Sequence, residues 1–381
     1  MKKSVLFLLF LLVLPFAYSS DWIYNSENII VDLEMGGKID VVPKTSKYSL
    51  QYVITNLSFV PQDGFQEEIL SLETNPSADV RDRTIIYRWD DPTGTELEYG
   101  LKSSIRSFNK FVKVKKKISF PLDDILDDIK VYTKPSETID SDNEAIIKKA
   151  SEIIEGEDDL YVVVFKLGEW TKNNVKYDLS TLTAKATQKA SWVLGTKEGV
   201  CDELTNLFIA MNRALGIPAK FISGMAYTNA EEFEEGFGTH GWAEVYFPDY
   251  GWVPFDVTYG EFGFVDASHI KLKESVDAND ASTKYQWLGK DISLKTNPLD
   301  IKAELKDTSG EIDELIDISA KAVKGEVGFG SYNLVEASVE NLNNHYVATT
   351  LFLSKTREVE LIDKEEKYLL LKPNEERKVS W

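Results

Sequence analysis

The sequence predicts an α+β protein in which a helix-bearing middle section with an antiparallel sheet stands between two strand-rich flanks. Three observations lead there. Short segments rich in Val, Ile, Tyr and Phe, separated by turn residues, fill the first third of the chain and return beyond residue 300. Between them, apolar residues recur at helical spacing behind capping residues. The single cysteine of the 381 residues, Cys201, stands at the start of one of those helical stretches.

The N-terminus has the pattern of a secretory signal: Lys2 and Lys3, an apolar run from Val5 to Ala17, then Ser19 and Ser20. The run is shorter than the ~20 residues of a membrane span, and Pro15 interrupts it. Residues 1–20 are therefore expected to be a signal peptide, with an uncleaved anchor as the alternative. No second long apolar stretch follows, so no stable membrane span is expected in the mature chain, which is placed outside the cell or on its surface.

Residues 21–138 are expected to form an N-terminal β-sandwich. Its strands are Asn28–Glu34, Lys38–Val42, Tyr48–Ile54, Arg83–Trp89, Leu97–Phe108 and Phe111–Phe120, with Gly36-Gly37 taken as a turn. Residues 139–299 form the central domain. There Asp140-Ser-Asp-Asn-Glu144 starts a helix that ends at Gly156, and Leu160–Asn173 and Lys185–Leu194 are further helix candidates. Residues 300–381 are expected to form a smaller immunoglobulin-like sandwich with strands Tyr332–Val339, Val347–Phe352, Val359–Leu361, Tyr368–Leu371 and Arg377–Trp381.

Charge and composition exclude some functions. With 63 acidic and 43 basic residues the formal net charge is -20, a field that repels phosphate backbones, so nucleic acid is not an expected partner. Three histidines and one cysteine, none in clustered spacing, predict no metal site, and no cofactor is called for. The acidic pairs Asp123-Asp124 and Asp127-Asp128 lack the alternation of a calcium loop and are taken as a solvated face.

The chemistry is expected around Cys201. An exported chain with one cysteine cannot close an internal disulfide, so the thiol needs another reason. Gly195 and Gly199 lead into it. Leu204, Leu207, Phe208, Met211 and Leu215 then repeat on one helical face, which Gly216 and Pro218 terminate. At a helix N-terminus the dipole favours a thiolate, and the free amides can hold an oxyanion. A base is needed too. His240 opens the stretch His240-Gly-Trp-Ala-Glu-Val-Tyr-Phe247, Pro248-Asp-Tyr-Gly251 turns the chain, and Trp252-Val-Pro-Phe-Asp256 returns it. Both residue numbers are even, so the two side chains share a face only if the hairpin loop is odd. A three-residue loop makes them diagonal neighbours, whereas five residues would set them directly opposite.

Gly199-Val-Cys201, Arg213-Ala-Leu-Gly-Ile-Pro-Ala219, His240-Gly-Trp-Ala-Glu-Val-Tyr246 and Gly251-Trp-Val-Pro-Phe-Asp256 together resemble the transglutaminase-like superfamily over roughly residues 140–290. The resemblance is to secreted prokaryotic members with flanking β domains. It implies a papain-like core in which Cys201 is the nucleophile, His240 the base and acid, and Asp256 the orienting carboxylate. It further implies acyl transfer from a protein or peptide amide through a thioester, ending in hydrolysis or in transfer to an amine, with cell-envelope components among the candidate partners. Two positions depart from the family pattern. Asp256-Val-Thr258 replaces Asp-Pro-Thr, and Gly241 follows the histidine where Ala is commoner. Trp192 and Trp242 are candidate substrate contacts, with core packing as the competing role. Two other classes stay open: a non-catalytic surface or adhesion protein that keeps the core as a scaffold, and an intermolecular disulfide through Cys201.

Overall fold

The computed structural model describes residues 21–181, 187–228, 236–328 and 330–381; the expected signal peptide lies outside them. The first sandwich is built on the long strand Asn28–Pro43, whose residues from Asn28 to Asp40 pair with Glu96–Phe108. Alternation explains it: Ile29, Val31, Leu33, Met35, Ile39 and Val41 all turn inward and are buried. Gly36-Gly37 does not turn the chain. The strand runs straight through, because a Cβ on Gly37 would fall inside the Tyr99 ring of the neighbouring strand. The opposing sheet holds Ser49–Leu57, Thr84–Asp90 and Asp79–Arg81.

This sandwich is completed from the far end of the sequence. Thr283–Lys290 pairs with Ser49–Leu57, while Ile292–Thr296 and Asp300–Ser309 both pair with Asn28–Pro43. The expected divisions at 138/139 and 299/300 are thus cut across by hydrogen bonding, and residues 283–309 belong with the N-terminal sheets. Phe111–Phe120, expected as a strand, is irregular. Its Val114 and Ile118 carbonyls instead accept from Tyr346 N and Leu160 N, both at 2.8 Å, and both side chains join the central core.

The central part is α+β, as expected. Helices Glu144–Ile153, Leu160–Asn174, Ala190–Thr196 and Cys201–Ala214 cover one face of an antiparallel sheet. The strand order of that sheet is Glu261–Phe262, Gly251–Asp256, Phe237–Phe247, Ala219–Tyr227, Ile270–Ser275. Odd-numbered residues of its two hairpin strands, including Ala243, Val245, Phe247, Val253 and Phe255, pack with Leu207, Phe208 and Met211 of the cysteine helix. The even-numbered residues, His240, Trp242, Glu244 and Asp256, lie on the other face, as the pleat requires.

Beyond residue 310 a small sandwich sets the sheet Ile316–Ala322, Val335–Asn341, Glu376–Ser380 against the pair Val347–Phe352, Glu366–Leu371. Val359–Leu361, expected as a strand, is not one. Tyr346, Tyr368 and Leu370 bury into the central core, and Tyr346 Oη donates to Asp159 Oδ2 at 2.6 Å. No helix of the described residues is long and apolar enough to cross a membrane.

Candidate active site

The hairpin sets the geometry. Phe247 pairs with Gly251, leaving Pro248, Asp249 and Tyr250 as a three-residue loop, and Tyr250 N closes it on Phe247 O at 3.0 Å. Carried on through Ala243 and Phe255, this register makes His240 and Asp256 diagonal neighbours on one face. Their side chains meet: His240 Nε2 lies 2.6 Å from Asp256 Oδ2. Asp256 is fully buried. Its Oδ1 accepts from Thr258 N at 2.7 Å and Tyr259 N at 3.1 Å, the turn that an Asp-x-Thr sequence makes by capping its own backbone. Burial opposes the charge of Asp256, but His240, His269 and these hydrogen bonds win and hold the carboxyl well below the usual carboxylate range. With Nε2 committed to Asp256, Nδ1 is the His240 nitrogen left for proton transfer.

Cys201 begins its helix, as expected, and is partly exposed. The helix start is held by Glu203, whose carboxylate accepts from Val200 N at 3.1 Å and Gln188 N at 3.0 Å. The helix docks where the two hairpin strands have parted. Their pairing stops at Ala243, so the main chain of Gly241 is free to be bonded from the helix side. Thr205 Oγ1 donates to Gly241 O at 3.1 Å, and Gly241 N–H lies where it favours the thiolate of Cys201. The thiol therefore sits beside the residue that follows His240.

The electrostatics at the thiol differ from the sequence expectation. Burial pushes the Cys201 thiol well above its usual range, and the charge of Asp202 pushes it further, outweighing the amides of Gly241 and Asp202. Cys201 Sγ donates to Asp202 Oδ1 at 3.6 Å. Asp202 also explains the glycine after the histidine, since a Cβ on Gly241 would stand 2.6 Å from Asp202 Oδ1 and 2.6 Å from Phe221 Cζ.

Trp192 is exposed on the short helix before Cys201. Trp242 is not: it is 2% exposed, stacks beside His240 at 6.2 Å and stands edge-on to His269 at 5.2 Å. It shapes the imidazoles from behind, which corrects its expected part as a substrate contact. Sequence reasoning passed over two neighbours. Tyr259 stacks on His240 at 4.8 Å, and its nearness to Asp256 in the turn was the available signal. His269 Nε2 lies 3.0 Å from the same Asp256 Oδ2, and no local pattern marks it, because it arrives from thirteen residues beyond. His269 and two acidic neighbours, Glu261 and Asp266, also line a cavity of about 1820 Å³ with Tyr24, Phe65 and Trp242.

Known proteins agree with the core. Residues 147–257 match the model of the transglutaminase-like superfamily. An uncharacterized protein of Bacillus subtilis (strain 168), YebA, is 38% identical over 76 residues, which are 17% of this chain and 10% of that protein. An uncharacterized protein of Haemophilus influenzae is 27% identical over 176 residues, 41% of this chain and 45% of its own. The chain thus spans less than half the length of either curated relative. A crystal structure from Cytophaga hutchinsonii, provisionally assigned as a cysteine protease, superposes with a TM-score of 0.54 at 18% identity. The match covers 75% of this chain and 94% of that one, a likeness of fold. Over residues 147–257, then, this chain carries a core of the transglutaminase-like superfamily.

Proposed function

We propose that this chain is an exported cysteine acyl-transfer enzyme that acts on protein or peptide amides, with Cys201, His240 and Asp256 as its catalytic residues. The observation that carries this is the 2.6 Å bond between His240 and the fully buried, ionised Asp256, directly next in sequence to the Gly241 main chain on which the cysteine helix docks. Asp256 fixes the ring and stabilises the imidazolium that forms. The thiol is held protonated at rest, so His240 works as a general base during attack. As the S–C bond forms, the thiol proton passes to His240 Nδ1, and the first-turn amides of the helix face the developing oxyanion. Breaking the C–N bond returns that proton to the leaving amine or ammonia, leaving a thioester on Cys201. Water attacking the thioester gives hydrolysis, and a lysine-type amine gives cross-linking.

Acylation of Cys201 by an activated ester such as p-nitrophenyl acetate at neutral pH tests this. Cys201→Ala is expected to abolish acylation, and His240→Ala to slow it by about 10²-fold or more. Equal ester consumption by Cys201→Ala, or a rate indifferent to His240, would overturn the proposal in favour of a scaffold.

A further inference from the structure

His269 belongs to a buried group of five ionisable side chains. Asp256 Oδ2 accepts from two imidazoles at once, His240 Nε2 at 2.6 Å and His269 Nε2 at 3.0 Å. On its other side His269 Nδ1 faces Asp266 Oδ1 at 3.6 Å and Glu261 Oε2 at 3.8 Å, and it has no closer hydrogen-bond partner. Those two carboxylates are themselves fixed: Ser268 N donates to Asp266 Oδ1 at 2.6 Å, and Asp266 N to Glu261 Oε2 at 3.1 Å. Trp242 and Tyr259 close the group with ring contacts to His269 at 5.2 Å and 5.4 Å. The nearest lysines are occupied. Lys271 pairs with Glu244 and Glu274, and Lys172 donates to the Thr258 carbonyl. Among the described residues no lysine or arginine pairs with Asp256, Glu261 or Asp266.

A buried carboxylate is stabilised by hydrogen bonds and by positive charge nearby, and Asp256 has both the backbone amides of Thr258 and Tyr259 and two imidazoles. We infer that His269 is a positioning residue, which holds Asp256 in place and supplies the standing positive charge between Asp256 and Asp266 that leaves His240 free to cycle. The inference rests on the proposed role of Cys201, His240 and Asp256. The environment supports it: burial disfavours an imidazolium at His269, but the nearby charge of Asp266 and the hydrogen bond to Asp256 outweigh burial. Burial and the charge of Asp266 meanwhile push the Glu261 carboxyl well above its usual range, toward its neutral form. Asp256, Asp266 and His269 then leave one negative charge, which the His240 imidazolium formed during thiol attack neutralises.

The test is the pH profile of Cys201 acylation in the full chain, for wild type, His269→Gln and His269→Leu, with Tm measured beside it. Gln keeps an N–H donor toward Asp256 without charge, and Leu keeps neither. Both variants are expected to move the acid limb of the profile upward by about one pH unit, because each removes the positive charge that balances Asp256. The Leu variant should also lose about tenfold or more in the plateau rate, with Gln recovering most of that loss. An acid limb unmoved in both variants, with only Tm lowered, would overturn the inference by making His269 merely structural. A wild-type chain whose acylation ignores His240 would instead overturn the proposed function, and the role of His269 with it.

Discussion

At the scale of single residues, Cys201 and Asp202 oppose each other. A helix N-terminus alone would lower a thiol's pKa, but here burial and the adjacent carboxylate raise it. The outcome is a thiol held protonated, which under the proposed function makes attack depend on His240. Replacing Asp202 by Asn removes one of the three upward pushes, which are burial and the charges of Asp202 and Asp256. The pH midpoint of Cys201 alkylation by iodoacetamide is expected to fall by about one unit in Asp202→Asn while staying above that of an ordinary cysteine, because burial remains. A midpoint that does not move would show that Asp202 fails to act on the thiol. The helix start at Cys201 and the hairpin joining His240 to Asp256 were legible in the sequence because both are local, whereas the loop length that sets their faces was not. Asp202 was in plain view, yet its effect was not, because it depends on how deeply the helix start is buried.

At the scale of elements, the cysteine helix is held at both ends. Glu203 caps its start, and at its far end the buried Arg213 donates to three carbonyls: Ala219 O at 2.9 Å, Lys134 O at 3.0 Å and Val276 O at 2.8 Å. These belong to three separate stretches of chain, so Arg213 joins the helix to the sheet, to the segment before the first helix and to the loop after Ile270–Ser275. Its fork suits three acceptors, which a lysine ammonium cannot reach together. Arg213→Leu leaves the carbonyls buried without donors and is expected to cost about 3 kcal/mol or more of unfolding free energy by urea titration, with Arg213→Lys recovering only part. A cost below about 1 kcal/mol would mean that water replaces the guanidinium. The motif around Arg213 was visible in the sequence. Its three partners were not, since two of them lie more than sixty residues away.

At the scale of the whole molecule, the sandwich and the central sheet are pinned together by Glu67. This buried side chain, on the strand Glu67–Asn75, accepts from Lys271 N in the central sheet. Burial pushes its carboxyl from 4.5 up to about 8, partly opposed by that N–H. The folded state therefore holds this proton more tightly than the unfolded chain. Its contribution is complete below pH 4.5 and is lost progressively as pH rises toward 8. Glu67→Gln keeps the acceptor and removes the titration. Its Tm is expected to decline less than the wild type's between pH 5 and pH 9, by several degrees, in thermal melts across about that range. Parallel decline of the two would place the wild-type Glu67 in water.

The sequence by itself determined the α+β core, the helix that begins at Cys201, the hairpin that carries His240 and Asp256 on its two strands, and strand-rich flanks; the three-residue loop that puts the two on one face was one of the lengths it left open. Each of the features it determined follows from periodicity or turn residues close in sequence, where the backbone alone decides which way a side chain points. Only the tertiary structure decided that residues 283–309 return to close the first sandwich, that Gly36-Gly37 runs on as strand, and that His269 shares Asp256 with His240. Those outcomes depend on contacts between distant parts of the chain, on which open sheet edge a late strand meets and on which charges are buried together. No local pattern encodes a choice that is made only when the pieces pack.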